Sequence, residues 1–172
     1  WSTIRLVDVD GDARADLCAR AAGGVQCHLS QADGFSGAIE GPAWSDDSGW
    51  GDYDNYSTIR FADIDADGDS DLCGRANAGI RCYRWTGEAF ETDALVGPEL
   101  SDDSGWSNVR FYSTIRFADV DGDGMADLCA RAAAGLRCWP SQGDAFGEPW
   151  IGPEWSDDAG FDAPGVYETL CA

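Results

Sequence analysis

Lysine is absent from this 172-residue sequence, histidine occurs once (His28), and 11 arginines stand against 32 acidic residues, for a formal charge of −21. A nucleic-acid binder needs a basic surface to release counterions from phosphates, so DNA and RNA are poor candidates as ligands. Without lysine there is no Schiff-base amine and no P-loop cation, and a lone histidine leaves little acid–base machinery near neutral pH. No apolar run approaches the roughly 18 residues that a membrane-spanning helix needs. Trp1-Ser-Thr-Ile-Arg5 lacks the features of a signal peptide, so Trp1 is expected to be a processed or trimmed start. Hydrophobic residues nevertheless make up 44% of the chain. That is enough apolar material for a core, and disorder driven by excess charge is not expected.

What the sequence does contain is repetition. Trp1-Ser-Thr-Ile-Arg-Leu returns as Tyr56-Ser-Thr-Ile-Arg-Phe and again as Tyr112-Ser-Thr-Ile-Arg-Phe, with a fainter echo at Tyr167-Glu-Thr-Leu. The expected organisation is three repeats, 1–55, 56–111 and 112–166, with 167–172 opening a fourth, all within one overall domain. Thr-Ile-Arg-Phe-Ala-Asp alternates as a strand does. Asp-Leu-Cys-Ala-Arg follows a glycine-rich acidic loop, and a small-residue turn leads into Gly-Leu-Arg-Cys-Trp. A fourth strand is expected near 38–43, 94–99 and 149–154. The reading is therefore all-β: three propeller-blade-like repeats of about four antiparallel strands and ~55 residues each, plus a C-terminal overhanging strand. Amphipathic helices are not expected.

The acidic loops carry the chemistry. Asp8-Val-Asp10-Gly-Asp12-Ala-Arg14-Ala-Asp16 recurs as Asp63-Ile-Asp65-Ala-Asp67-Gly-Asp69-Ser-Asp71 and as Asp119-Val-Asp121-Gly-Asp123-Gly-Met125-Ala-Asp127. Carboxylates at loop positions 1, 3, 5 and 9 are hard oxygen ligands spaced to wrap Ca2+, with position 7 (Arg14, Asp69, Met125) expected to offer its backbone carbonyl. About three Ca2+ ions are expected. An acidic turn that merely solvates the surface is the alternative, but four like charges in nine residues, three times over, are costly without a cation. Mg2+ fits less well because it wants fewer protein ligands and a stricter octahedron. An EF-hand would need helical flanks and a glutamate at position 12, where Ala19, Gly74 and Ala130 stand.

These Asp-x-Asp-x-Asp-x-x-x-Asp-Leu loops, each following a strand, resemble those of FG-GAP/VCBS repeats, the calcium-loop blades of integrin-type, bacterial and fungal β-propellers. The resemblance covers essentially all three repeats and implies an extracellular binding or adhesion scaffold without catalysis. Such propellers generally close with around seven blades, so closure here is expected to need another chain or a longer parent chain. A trefoil-like arrangement of the strands is a further option that the loops argue against.

Six cysteines form equally spaced pairs, Cys18 with Cys27, Cys73 with Cys82 and Cys129 with Cys138. A turn centred near Ala22-Gly23 puts each pair opposite one another across a hairpin, where a disulfide would stabilise the fold by roughly 2–3 kcal/mol. Oxidised cysteines imply a secreted, extracellular setting, where calcium is also plentiful. Zinc would need closer ligand spacing. Cys171 is left over, for an intermolecular bond, an exposed thiol or a partner lost by trimming.

Between repeats lie Trp44-Ser-Asp46-Asp47-Ser-Gly-Trp50, Leu100-Ser-Asp102-Asp103-Ser-Gly-Trp106 and Trp155-Ser-Asp157-Asp158-Ala-Gly-Phe161. Aromatic rings beside carboxylates suit sugars, since a ring stacks on the apolar face of a pyranose while aspartates accept hydroxyl hydrogen bonds. The same aromatics could instead staple one repeat onto the next, as repeat architectures require. Tyr83, Trp85 and Trp139 belong to the core or face a ligand. The reading is a secreted, non-enzymatic calcium-binding module with carbohydrate, or another cell-surface ligand, as partner. Its alternative is a self-assembling subunit, ring or filament, joined head-to-tail through its terminal strands.

Overall fold

The computed structural model of the protein describes residues 3–167. The first repeat forms a four-stranded antiparallel sheet from β1 (Arg5–Val7), β2 (Asp16–Ala21), β3 (Gly24–His28) and β6 (Ile39–Glu40), with a small hairpin, β4 (Ser30–Gln31) and β5 (Gly34–Phe35), beside it. The second contains β7 (Arg60–Ala62), β8 (Asp71–Ala76), β9 (Gly79–Tyr83) and β10 (Leu95–Val96). The third repeats the order with β11 (Arg116–Ala118), β12 (Asp127–Ala132), β13 (Gly135–Trp139) and β14 (Trp150–Ile151). The expected fourth strands are present but shortened to two residues each, because each runs into a Gly-Pro pair, and proline has no N–H to extend a ladder.

The register of the central hairpins follows from their turns. Ala21 pairs with Gly24, Ala76 with Gly79 and Ala132 with Gly135, leaving two-residue connections. Gly79 stands at φ +99°, and a Cβ there would lie 3.1 Å from the Pro98 carbonyl oxygen, so the turn needs glycine both for its backbone and for the loop packed on it. Counting back from these turns puts Cys18 opposite Cys27, Cys73 opposite Cys82 and Cys129 opposite Cys138. All three pairs are disulfide-bonded, with Cα atoms 4.1 Å apart.

Consecutive sheets pack face to face. Val9, Val25, Trp44 and Trp50 of the first repeat share one buried cluster with Ile59, Leu72, Trp85 and Phe90 of the second. Ile64, Ile80, Leu100 and Trp106 of the second share another with Ile115, Ala126, Leu128 and Ala130 of the third. The result is three propeller-like sheets that do not close into a ring.

Among the described residues helix is limited to single turns, α1 (Tyr53–Tyr56), α2 (Val109–Tyr112) and α3 (Pro164–Tyr167), and a 3-10 turn at Asp46–Ser48. They shorten the expected first strands, read from Thr58 and Thr114 but opening only at Arg60 and Arg116, and they correct the overhanging strand at Tyr167, which ends a helical turn. The threonine between turn and strand explains why. Thr58 donates from Oγ1 to the Asn55 carbonyl at 2.7 Å and accepts from the Arg75 backbone N–H at 2.9 Å, so it caps the turn and docks it on β8 at once. Residues 168–172, on which the rest of the overhanging strand and Cys171 fall, lie outside the described residues.

Candidate metal centres and inter-repeat grooves

Each acidic loop joins the first strand of its sheet to the second, and its aspartates divide into two jobs. Carboxylate oxygens of Asp8, Asp10 and Asp16 lie within 4.8 Å of one another, as do those of Asp63, Asp65 and Asp71 and those of Asp119, Asp121 and Asp127. The last member of each triad is fully buried at the start of a strand and ties the loop together. Asp71 accepts from the backbone N–H of Ile64 at 2.9 Å and of Trp85 at 2.8 Å. Asp16 takes the N–H groups of Val9 and Ser30, and Asp127 those of Val120 and Ser141. Asp12, Asp67 and Asp123 stand apart from the triads: one oxygen of each accepts the backbone N–H of the residue at position 7, Arg14, Asp69 or Met125, at 2.8–2.9 Å.

The electrostatics are those of a site short of positive charge. Burial first, then the carboxylates beside them, push Asp10, Asp65 and Asp69 above the usual aspartate range. Burial drives Asp71 up to about 7 against the opposing pull of its two backbone hydrogen bonds. Asp10 Oδ1, Asp63 Oδ1 and Asp65 Oδ1 are buried and have no hydrogen-bond partner. Unpartnered carboxylate oxygens converging in a tight loop are what a hard divalent cation satisfies, so the donor set fits Ca2+.

The Trp-Ser-Asp-Asp segments are built into the joints. Trp44 and Trp50 are buried and stacked with ring centroids 4.0 Å apart, Trp106 is buried against the third repeat, and Trp155 lies half-buried against Phe161. The faces of the first three are therefore spent on packing rather than offered to a ligand. The first aspartate of each pair, Asp46, Asp102 or Asp157, accepts from the guanidinium of Arg20, Arg75 or Arg131 of its own repeat. Asp47, Asp103 and Asp158 are exposed. Arg75 is fully buried: Nε donates to the Leu100 carbonyl at 2.9 Å, and another nitrogen reaches Asn55 at 3.1 Å and Asp54 at 3.3 Å, both on the turn entering the second repeat. In the third repeat Arg110 stands where Asp54 does and bonds Asp157 at 3.2 Å, leaving a buried nitrogen of Arg131 without a partner. The recurring arginines were visible in sequence; which carboxylate each one meets was not.

Two equivalent grooves open between neighbouring sheets. One, of about 410 Å³, lies between Gly41-Pro42 of the first repeat and Tyr83, Phe90 and Glu91 of the second. The other, of about 310 Å³, lies between Gly97-Pro98 of the second and Trp139, Phe146 and Glu148 of the third. Tyr83 and Trp139 are half-buried at matching positions, each ending the third strand of its sheet. A third cavity, of about 560 Å³, is lined by Arg84, Glu91, Asp93 and Asp144. Trp85, by contrast, is core.

With loops, strands and spacing in place, residues 63–130 match the FG-GAP-like repeat family. Over that segment the chain is similar to an FG-GAP-like repeat. No curated protein sequence matches the chain significantly. Among solved structures, a lectin of Agrocybe aegerita, described for its specific recognition of non-reducing terminal N-acetylglucosamine, is similar with a TM-score of 0.76 at 23% identity. That match covers 90% of this chain and 39% of the lectin chain. The Photorhabdus luminescens Tc holotoxin pore is similar at a TM-score of 0.56 and 26% identity, over 91% of this chain and 7% of that one. A TcdB2–TccC3 structure is similar at 0.58 and 23%, over 86% and 7%. The chain thus spans well under half the length of the structures it resembles, and the likeness concerns the fold.

Among the described residues, no helix is long and apolar enough to cross a membrane. Three disulfides are consistent with an extracellular protein.

Proposed function

We propose that this chain is a secreted, non-enzymatic module that holds one Ca2+ in each acidic loop and binds carbohydrate in the grooves between its repeats. The observation that carries the reading is the groove that occurs twice, with an aromatic ring at the same position each time and glutamates on its rim. A ring such as Trp139 can stack on the apolar face of a pyranose while Glu99 and Glu148 accept hydrogen bonds from its hydroxyls. The ligand surface so assigned differs from the Trp-Ser-Asp-Asp segments, which pack the joints that shape it. Calcium acts at a distance from the sugar: it neutralises the loops whose carboxylates would otherwise push adjacent sheets apart. A fold shared with a lectin supports carbohydrate as the ligand class, and three recurring binding loops suit a module that binds rather than one that catalyses.

A glycan array probed with labelled protein in millimolar calcium, and again after chelation, tests this. Binding to a related set of sugars that is lost in Trp139→Ala and weakened in Tyr83→Ala is the expected result. A blank array with protein of native circular dichroism would refute it.

A further inference from the structure

We propose that the carbohydrate in the first groove is a chain rather than a single sugar, that it continues over the second repeat through the cavity of about 560 Å³, and that it carries free, protonated amines: the ligand is an oligomer of amino sugars. The proposal rests on the carbohydrate reading of the grooves and adds to it the length and charge of the ligand. Groove and cavity share a wall, because Phe90, Glu91 and Thr92 line both. At its other end the cavity borders the second groove: Leu95 and Asp144 line the one, and their near neighbours Val96 and Phe146 line the other. Volumes of about 410, 560 and 310 Å³ each suit one small ligand, so an occupant that follows them across the second repeat is a chain.

The sequence singles out the shared wall. Four residues separate Phe90 from Leu95, whereas three separate Phe35 from Ile39 and three separate Phe146 from Trp150. That extra residue is the whole length difference between the second repeat, 56 positions, and its neighbours at 55. Arg84 holds the lengthened segment in place. Its guanidinium donates to Glu91 at 2.8 and 3.1 Å and to the Gly143 carbonyl of the third repeat at 3.4 Å, and it lies 3.8 Å from Asp65 in the second acidic loop. Leu29 and Pro140 stand at its position in the other repeats, and Ser36 and Gly147 at that of Glu91, so neither neighbour can build the same tie.

Charge fixes the chemistry of the occupant. Among the described residues Arg84 is the only cation lining the cavity, and Glu91 already engages it. Asp93 and Asp144 are exposed on the cavity wall without an arginine partner among the described residues. Glu40 in the first groove and Glu99 and Glu148 in the second extend the same sign. An anionic chain would be repelled along the whole path, whereas ammonium groups would meet a carboxylate in each of the three spaces. Among the described residues only the loop triads gather three carboxylates within 4.8 Å. The carboxylates of this path do not converge in that way, which suits positive charges spaced along a chain rather than one metal ion.

Calorimetry of the whole chain in calcium tests this, with glucosamine oligomers of one to six residues and their N-acetylated counterparts, at a pH where the amines are protonated. Affinity for the amine series should rise at least tenfold from one residue to four, exceed that for the acetylated series beyond two residues, and fall with added salt. Asp93→Asn combined with Asp144→Asn should weaken the amine series about fivefold and bring its preference over the acetylated series to within about twofold. Trp139→Ala should weaken the longer members of both series. Affinity that does not grow with length overturns the proposal, as does an acetylated series that binds as tightly as the amine series; either result leaves the grooves as sugar sites. Oligolysine that binds as tightly as an amino-sugar chain of equal charge also overturns it and makes the ligand a basic peptide. Silence from both series overturns it as well, and the glycan array then decides whether the carbohydrate reading falls with it.

Discussion

Gly74 offers a direct probe of whether the paired tryptophans are structural. It sits in the middle of β8, where a Cβ would lie 2.8 Å from Trp50 Cη2 and 3.0 Å from Trp44 Cη2 and Cζ3. Both rings are buried and stacked on one another, so neither can swing away without opening the joint between the first two repeats. Over-packing of this kind costs about 1–3 kcal/mol, while Gly→Ala in a strand by itself returns about 0.5–1 kcal/mol. Gly74→Ala is therefore expected to destabilise by about 1–2 kcal/mol. The joint between the second and third repeats, which pairs Ala130 with Leu100 and Trp106, shows how the clash is relieved. In a Trp44→Leu background Gly74→Ala should be neutral or stabilising, a coupling of about 1–2 kcal/mol in a double-mutant cycle. Urea denaturation in calcium, with midpoints and slopes for all four proteins, measures it. A Gly74→Ala protein as stable as the parent, or a cycle without coupling, would refute the packing role of the indoles.

Calcium titration by calorimetry should give three ions per chain, and Asp65→Asn should give two, because Asp65 brings a buried, unpartnered oxygen to its triad; an unchanged count would remove Asp65 from the site. Arg75→Met should cost about 3 kcal/mol by stranding Asp102 and Asn55, read from the denaturation midpoint; a loss below about 1 kcal/mol would show that the buried guanidinium is dispensable. In chelator, stability should depend on pH through Asp71. Its folded value of about 7 lies above the ordinary 3.8, so its contribution is complete below the ordinary value and lost as pH rises through about 7. The calcium-free protein should thus melt higher at pH 5 than at pH 8, and saturating calcium should reverse the order; a flat calcium-free profile would show that Asp71 does not carry this dependence.

Periodicity made much of the molecule legible. Three occurrences of Ser-Thr-Ile-Arg pointed to the repeats, alternation located the strands, and the nine-residue cysteine spacing implied the hairpin register that the disulfides occupy. The aspartate spacing identified the loops in which the carboxylates converge. The turns at Tyr53–Tyr56 and Val109–Tyr112 went unread because a single helical turn has too few residues to show a 3.6-residue period, and Thr58, which docks the first of them, reads in sequence as one more β-branched strand residue.

What the sequence alone determined is local: strand, turn, cysteine register and carboxylate-rich loop all depend on residues within one repeat of about 55 positions. What only the tertiary structure decided is how repeats meet. Trp44 could have faced a sugar or a neighbouring sheet, and Asp46 a ligand or Arg20, because an aromatic ring and a carboxylate have the same chemistry in either place. Burial settles such choices, and burial is a property of the joint between two repeats rather than of either one.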